Sequence, residues 1–243
     1  MIIMTLELLD ILNGTFSLIF VLVSLIVGVI IASKYSQYKN RTLLLVGITW
    51  IGLTTPWLPS TISFLTTLIT SSGLSPVIYF TIGNIASPFI LVIWITAFTD
   101  LKFKNKQKLL VVIYSIIGVV YEIYLVFFLI VDPTIIGELT GIFDVTYRGL
   151  VLIFALFIVI NMLITGILFG QESIHSKDST VRLKGKFLIV AFISWCIGAI
   201  MDAALPLNIL TLTIARVILI SSALEFYIGF ILPRFIKELF LKE

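Results

Sequence analysis

Seven long apolar segments, separated by short polar stretches, run through the 243-residue sequence. A helix rises about 1.5 Å per residue, so roughly 20 apolar residues cross the ~30 Å hydrocarbon core of a bilayer. Each segment meets this requirement and is predicted to be a membrane-spanning helix. The predicted spans are about 11–32, 42–66, 76–98, 107–131, 149–169, 185–205 and 209–232, followed by a tail over 233–243.

Prolines interrupt two of the predicted spans. Pro56 and Pro59 lie in the second span and Pro88 lies in the third. A proline inside a helix lacks an N–H group and frees the carbonyl one turn earlier, which bends the helix. We therefore expect kinks at these positions, in a bundle that is able to flex.

The basic residues mark one side of the predicted bundle. Of the 16 Lys and Arg residues, all but Arg148 and Arg216 fall in or beside the first, third and fifth connections or in the tail. Short cytoplasmic loops carry such an excess of Lys and Arg. We therefore expect a multi-pass protein of the cell membrane, with its amino terminus outside and its carboxyl terminus in the cytoplasm.

Composition supports this fold class and narrows the range of partners. Hydrophobic residues make up 60% of the chain and charged residues 12%, whereas a soluble domain carries about 25% charged residues. The chain is predicted to be an all-α polytopic membrane protein, with one seven-helix domain over 1–243. Membrane orientation accounts for the net charge of +3, so membrane lipids, and no nucleic acid, are the expected partners.

The sequence offers little for catalysis, and we expect neither an enzyme nor a cofactor. No lysine falls in the seventh span, which leaves no residue there for a retinal Schiff base. His175 is the single histidine and Cys196 the single cysteine, so the sequence has no clustered metal ligands and no paired thiols. It also lacks the HExxH, GxSxG and phosphate-loop motifs.

Four polar residues inside the spans are the candidates for a site. Arg216, Asp202, Glu122 and Asn84 lie roughly 5–13 Å below the outer membrane boundary when depth is counted along each helix. An ionisable side chain in hydrocarbon costs several kcal/mol, so it usually faces the bundle interior and has a partner. We predict a polar cluster beneath the outer mouth, with Arg216 paired to Asp202 or Glu122. The cluster is either a ligand pocket or sensing switch, or a structural latch between neighbouring spans.

Glu225 is a separate candidate, for an intramembrane switch. It is on the same predicted helix as Arg216, on the opposite face and ~12 Å above the inner boundary. Its expected partner is a lysine that reaches in from an inner connection, Lys186 or Lys34. The alternative is a proton-carrying role, which requires a raised pKa and a water path.

Two segments outside the spans have patterns of their own. The longest outer connection, 132–148, is acidic and contains two glycines, and it is predicted either to fold as a hairpin over the outer mouth or to be a plain connector. The tail places Phe235, Ile236, Leu239 and Phe240 on one stripe. We expect it to form a short amphipathic helix on the inner leaflet, as an anchor or as a docking site for a partner.

Three stretches of the sequence resemble the stand-alone and kinase-linked seven-helix sensor modules of archaea and bacteria. They are GNIASPFILVIWITAFTDLKFKN, RLKGKFLIVAFISWCIGAIMDAALPL and ARVILISSALEFYIGFILPRFIK. The resemblance covers most of the chain and implies a sensor that passes an outer or intramembrane signal to the cytoplasm. The chain departs from the kinase-linked pattern because it stops at Glu243, so the resemblance implies a separate cytoplasmic signalling partner at the basic inner loops and tail.

The favoured hypothesis is therefore a receptor-like sensory membrane protein that binds a small or lipidic ligand in an outer-facing polar pocket. One alternative is a transporter of small molecules or lipids, and another is a non-catalytic membrane scaffold. A pocket closed below favours the receptor, whereas a cavity that crosses the midplane and reaches Glu225 favours transport. A dry, fully packed interior favours the scaffold.

Overall fold

The computed structural model describes residues 6–241 of the chain. This part of the chain is a bundle of α-helices, with seven helical segments long and apolar enough to cross a membrane. The prediction of an all-α helical bundle is thereby confirmed. The helices are α1 (Leu8–Tyr38), α2 (Arg41–Gly52), α3 (Leu58–Thr70), α4 (Pro76–Asn84), α5 (Ser87–Leu101), α6 (Gln107–Val131), α7 (Gly149–Ile174), α8 (Ser179–Ala204), α9 (Ile209–Ile231) and α10 (Arg234–Leu241).

The membrane-length segments pack as a ring. Helix α1 lies between α2 and α9, and α8 packs on both α9 and α7. On the other side of α1, helix α2 packs on α5, and α5 packs on α6. Helices α6 and α7 close the ring, in part through Tyr121 and Phe154, whose rings stack with their centroids 3.9 Å apart.

The second and third spans are broken where the prolines predict kinks. Span two consists of α2 and α3, joined by a short 3-10 turn at Thr55–Trp57, and span three consists of α4 and α5. The side chains of Thr54 and Thr55 donate hydrogen bonds to the carbonyls of Ile51 and Gly52, at 2.7 and 2.8 Å. These hydroxyls satisfy backbone carbonyls at the end of α2, which lowers the cost of breaking a helix away from water.

Glycines allow two pairs of helices to approach closely at the end where α9 meets α10, here called the tail end. A Cβ atom on Gly47 of α2 would lie 2.5 Å from the carbonyl oxygen of Gly28 on α1. A Cβ atom on Gly185 of α8 would lie 2.7 Å from the carbonyl oxygen of Gly170 on α7. Such contacts between small residues bring helix backbones together in apolar surroundings, where dispersion forces drive association.

A β-hairpin covers the other end of the bundle, here called the hairpin end. Strands β1 (Gly137–Leu139) and β2 (Val145–Tyr147) pair antiparallel between α6 and α7. The turn between them packs on the helices, because Ser63 donates to the carbonyl of Ile142 at 2.9 Å and Tyr79 donates to the carbonyl of Phe143 at 3.0 Å. The connection 132–148 is thus a folded hairpin, as one of the two predictions had it, and not a plain connector.

The predicted tail helix is present as α10. Phe240 on α10 meets Phe187 on α8, with ring centroids 5.7 Å apart. Arg234 donates to Glu238 one turn later at 2.7 Å. The last two residues of the predicted tail, Lys242 and Glu243, lie outside the described residues.

Candidate functional site

A cavity of about 150 Å³ lies at the hairpin end, beneath the β-hairpin. Residues of the 3-10 turn at Thr55–Trp57, of each helix from α3 to α9 and of the hairpin line it. The polar and aromatic residues of its lining include Trp57, Asn84, Asp144, Trp195, Asp202 and Arg216. A cavity of similar size in an engineered protein holds benzene, so the space suits a small ring or the head of a longer molecule.

Arg216 is the most deeply buried charged group of this cavity. Its side chain is 3% exposed, and its Nη2 atom donates to Asn13 Oδ1 at 2.9 Å and lies 3.3 Å from Asp202 Oδ1. The guanidinium carbon also sits 5.9 Å from the ring centroid of Trp57, within the range of a cation–π contact. Three helices, α1, α8 and α9, therefore meet at one cation.

Asp202 is held from two sides. Its Oδ1 faces Arg216, and its Oδ2 accepts a hydrogen bond from the indole N–H of Trp57 at 2.7 Å. Trp57 lies in the break between α2 and α3, where the chain leaves the regular helix. The position of this carboxylate is therefore coupled to the shape of the break.

Several hydrogen-bond donors of the cavity lining are not used by the protein. The Nε and Nη1 atoms of Arg216 and the indole Nε1 of Trp195 are buried and have no hydrogen-bond partner among residues 6–241. A buried polar group without a partner costs about 1–3 kcal/mol, so native proteins satisfy nearly all of them with protein groups, water or a ligand. Three donor nitrogens of residues that line one cavity are thus left for an acceptor from outside the protein, water or a ligand.

Asn84 connects the hairpin to the bundle on the opposite side of the cavity. Its Nδ2 donates to the carbonyl of Phe80 at 2.9 Å and to the hydroxyl of Tyr147 at 3.1 Å. Its Oδ1 accepts a hydrogen bond from Tyr121 at 3.4 Å. Asn84 is the last residue of α4, at the break before α5, so both helix breaks of the bundle border the cavity.

Asp144 of the hairpin is a second carboxyl group beside the cavity. Burial raises the pKa of Asp144 above its ordinary value, and the nearby Asp202 adds to this effect. The backbone N–H of Val145 and the positive charge of Arg216 act in the opposite direction but do not cancel the rise. Burial likewise raises the pKa of Tyr147 to about 12, so its hydroxyl stays protonated beside Asn84.

The structure does not bring Glu122 into the predicted cluster. Its depth along α6 is similar to that of the other members, but it is not part of the cavity lining. Its neighbour Tyr121 faces the bundle interior, and adjacent residues of a helix point about 100° apart. Both carboxylate oxygens of Glu122 are buried without a hydrogen-bond partner in the described part of the chain. Asp202 is the carboxylate that pairs with Arg216.

Glu225 lies in a different place, beside a groove of about 480 Å³ near the tail end. Lys186 and Arg182 also line this groove, but no ion pair within 4.0 Å joins Glu225 to Lys186 or to Lys34. Instead, Glu225 accepts a hydrogen bond from Ser221 at 2.7 Å, and its second oxygen is buried without a partner. The predicted pairing with Lys186 or Lys34 is therefore wrong for this structure.

A layer of aromatic rings, here called the aromatic floor, fills the bundle interior between α2, α5, α8 and α9. It consists of Trp50, Trp94, Phe192 and Phe226, all almost fully buried. Trp50 stacks on Phe226 with ring centroids 3.8 Å apart, and Phe192 bridges Phe226 and Trp94 at 5.5 and 5.1 Å. The cavity lining and the groove lining share no residue.

Sequence reasoning missed three partners of this site. Asn13 does carry a detectable signal, because it is a single amide in an apolar run. Trp57 and Trp195 carried no such signal, because tryptophans are common in membrane helices and only their contacts distinguish them. For metals, residues 6–241 contain no group of three His, Cys, Asp or Glu side chains placed to hold an ion.

Compared with known proteins, the chain matches no family model, no curated protein and no solved structure.

Proposed function

We propose that this chain is a receptor-like seven-helix protein of the cell membrane. In this proposal the hairpin end faces outward and binds a small or lipidic ligand in the cavity around Arg216. The tail end faces the cytoplasm and passes the signal to a separate protein through the basic connections and α10. The observation that carries the proposal is a cavity lined by donors without a protein partner, whose lining shares no residue with the tail-end groove.

The two helix breaks provide a means of transmission. Trp57, in the first break, donates to Asp202, and Asn84, at the second, donates to Tyr147. A further void of about 30 Å³ lies between the breaks, lined by Leu53, Pro56 and Ser87 among others. In this proposal the broken helices have a second packing arrangement, and a ligand that binds one arrangement better shifts the population toward it.

Transport and scaffolding are the competing functions. A transport path requires continuity across the midplane, whereas the cavity and the groove of Glu225 share no lining residue. A pure scaffold needs no cavity and no unsatisfied donors. The separate linings therefore count against transport, and the cavity with its unpartnered donors counts against a pure scaffold.

The proposal can be tested with a panel of molecules that share a palmitoyl-length chain and differ in the head: acid, methyl ester, alcohol and amine. The purified protein is reconstituted in lipid nanodiscs, and its unfolding temperature is measured with each molecule. We expect at least one of them to stabilise the native protein. Ala199→Phe fills the cavity and should abolish this effect, whereas Ala204→Phe, exposed outside the lining on the same helix, should not.

Signalling is tested by the distance between two spin labels at the tail end. The labels are placed at Lys106 and Lys177, both exposed, in a Cys196→Ala background. The stabilising molecule should change the distance in the parent protein and leave it unchanged with Ala199→Phe. An unchanged distance in both proteins would refute the receptor role. Transport would be established instead if the stabilising molecule, carrying a label, crossed the membrane of sealed vesicles only when they contain the protein.

A further inference from the structure

We propose that the ligand is an uncharged, lipid-like molecule with a carbonyl head group, an ester or an amide, that enters the cavity sideways from the bilayer between α7 and α8. This inference rests on the proposed function and specifies the ligand for the same cavity. Four features support it: where the cavity opens, which polar atoms are free, how the charges balance and how much space is available.

Part of the cavity lining reaches the outer surface of α7 and α8. Leu152 and Leu156 of α7 and Ile200 of α8 line the cavity and are also 38%, 45% and 46% exposed. They lie on facing sides of the two helices, roughly 5–10 Å from the helix ends at the hairpin end. Toward the tail end the same helices close up, because Gly170 and Gly185 are in backbone contact. An apolar molecule can therefore reach the cavity without leaving the hydrocarbon.

The free polar atoms of the lining are donors. Arg216 offers Nε and Nη1, and Trp195 offers its indole N–H. The oxygens of the Arg216 cluster are already engaged: Asn13 accepts from Arg216, Asp202 accepts from Trp57 through Oδ2, and Asp202 Oδ1 is ion-paired with Arg216. An incoming head group must therefore supply acceptors, which a carbonyl oxygen does and an ammonium group does not.

Charge balance selects against an acid. The positive charge of Arg216 is already compensated by Asp202, and Asp144 places a second carboxyl group at the same cavity. Like charges at close range repel strongly where water is excluded, since the effective dielectric constant there is well below that of water. A carboxylate head would add another negative charge, whereas an ester carbonyl accepts the same hydrogen bonds without adding any.

The volume determines how much of the molecule the protein encloses. A cavity of about 150 Å³ holds a head group and the first few methylenes. The remainder of a long chain would pass out between Leu152, Leu156 and Ile200 and stay among the lipid tails. The apolar surface of these three residues is continuous with the cavity, so the chain would lose little of its apolar environment on binding.

The probe is methyl palmitate that carries a photoreactive diazirine in its chain, added to the protein in nanodiscs. We expect labelling of α7 and α8 near Leu152, Leu156 and Ile200 that excess unlabelled methyl palmitate removes. Palmitic acid should compete at least tenfold less well, and hexadecane, which has no acceptor, should not compete at all. Labelling that only palmitic acid removes would overturn this inference but leave the proposed function intact.

Trp195→Phe tests the free indole donor while it keeps an aromatic ring in place. Loss of one hydrogen bond should weaken competition by methyl palmitate about two- to tenfold. The matched control is Trp50→Phe, since the indole N–H of Trp50 is also buried and without a partner among residues 6–241 but lies in the aromatic floor. Equal effects of the two substitutions would overturn the assignment of the donor, and saturable labelling confined to the hairpin would overturn the sideways route.

Discussion

Arg216 on α9 places one guanidinium nitrogen 3.3 Å from Asp202 on α8 and 2.9 Å from the side-chain oxygen of Asn13 on α1. The cation is 3% exposed and the carboxylate 19% exposed, so water compensates for neither charge to a large extent. The pair joins two helices that follow one another in the chain and ties both to the first helix. It is at once a structural link and the polar centre of the cavity.

We predict that Asp202→Asn lowers the free energy of unfolding by about 3–5 kcal/mol, because it leaves a buried cation without its counter-ion. The measurement is reversible unfolding in detergent. Arg216→Met should cost a similar amount, and the combination of Asp202→Leu with Arg216→Met should recover much of the loss. A loss of stability in the double variant equal to the sum of the losses in the single variants would contradict a coupled pair.

A second prediction concerns Asp100 at the tail end, which accepts from Arg41 Nε at 2.6 Å and from Gln107 at 2.9 Å and also pairs with Lys104. Its side chain is 6% exposed and links α2, α5 and α6. Asp100→Asn should lower the free energy of unfolding by about 1–3 kcal/mol.

The control for Asp100 is Glu172→Gln. Glu172 pairs with Lys102, but both side chains are considerably more exposed than Asp100. An exposed ion pair contributes about 0–1 kcal/mol, so this variant should be nearly neutral. Equal losses from the two substitutions would show that burial of Asp100 does not set its contribution.

The pH dependence of stability should carry a contribution from Asp144. Its pKa is raised in the folded protein, mainly by burial, so the folded state holds this proton more tightly than the unfolded state. Between the ordinary pKa and the raised one, stability from this group decreases as pH rises. The contribution is present below the ordinary pKa and lost above the raised one.

Asp132 and Asp178 act in the opposite direction, because hydrogen bonds from Thr134 and Thr180 lower their pKa values. Their stabilisation is lost as pH falls through that range. The experiment therefore measures the unfolding temperatures of the parent protein and of Asp144→Asn at several acidic pH values and compares the difference between them. The unfolding temperature of the parent, relative to that of the variant, should be higher at low pH than at higher pH. A difference that stays constant with pH would count against a raised pKa of Asp144.

The proposed orientation predicts that the two termini lie on opposite sides of the membrane. Single cysteines in a Cys196→Ala background, one near Glu7 and one near Glu238, are tested with a membrane-impermeant thiol reagent on intact cells. The first should react and the second should react only after permeabilisation. Equal reactivity of both on intact cells would exclude an odd number of crossings.

Removal of residues 234–243 should leave membrane insertion intact. Helix α10 meets the bundle through Phe240 and Phe187, and both phenylalanines lie beside the groove that Glu225 lines. Insertion depends on the apolar spans, whereas a short amphipathic helix contributes interfacial binding. The expected result is unchanged membrane extraction by carbonate with a lower unfolding temperature in detergent. Loss of the protein from the membrane fraction would contradict an interfacial role for α10.

The amino-acid sequence by itself determined the seven apolar spans, the breaks at Pro56, Pro59 and Pro88 and the need of Arg216 for a buried partner. These follow from helix rise, the missing N–H group of proline and the cost of an unpaired charge in hydrocarbon, none of which depends on where other helices lie. Depth along a helix can be counted from the sequence, and it puts Asp202 and Asn84 near the level of Arg216, with which they line one cavity.

Only the tertiary structure decided which way each residue faces and what it meets. Glu122 had a suitable depth but is not part of the cavity lining, while Asn13 and Trp57 reached the cluster from helices that sequence reasoning had not connected with it. The hairpin added Asp144 from a segment outside the spans. The rotation of a helix about its axis and its choice of neighbours come from packing summed over the whole bundle, and no local stretch of sequence contains that sum.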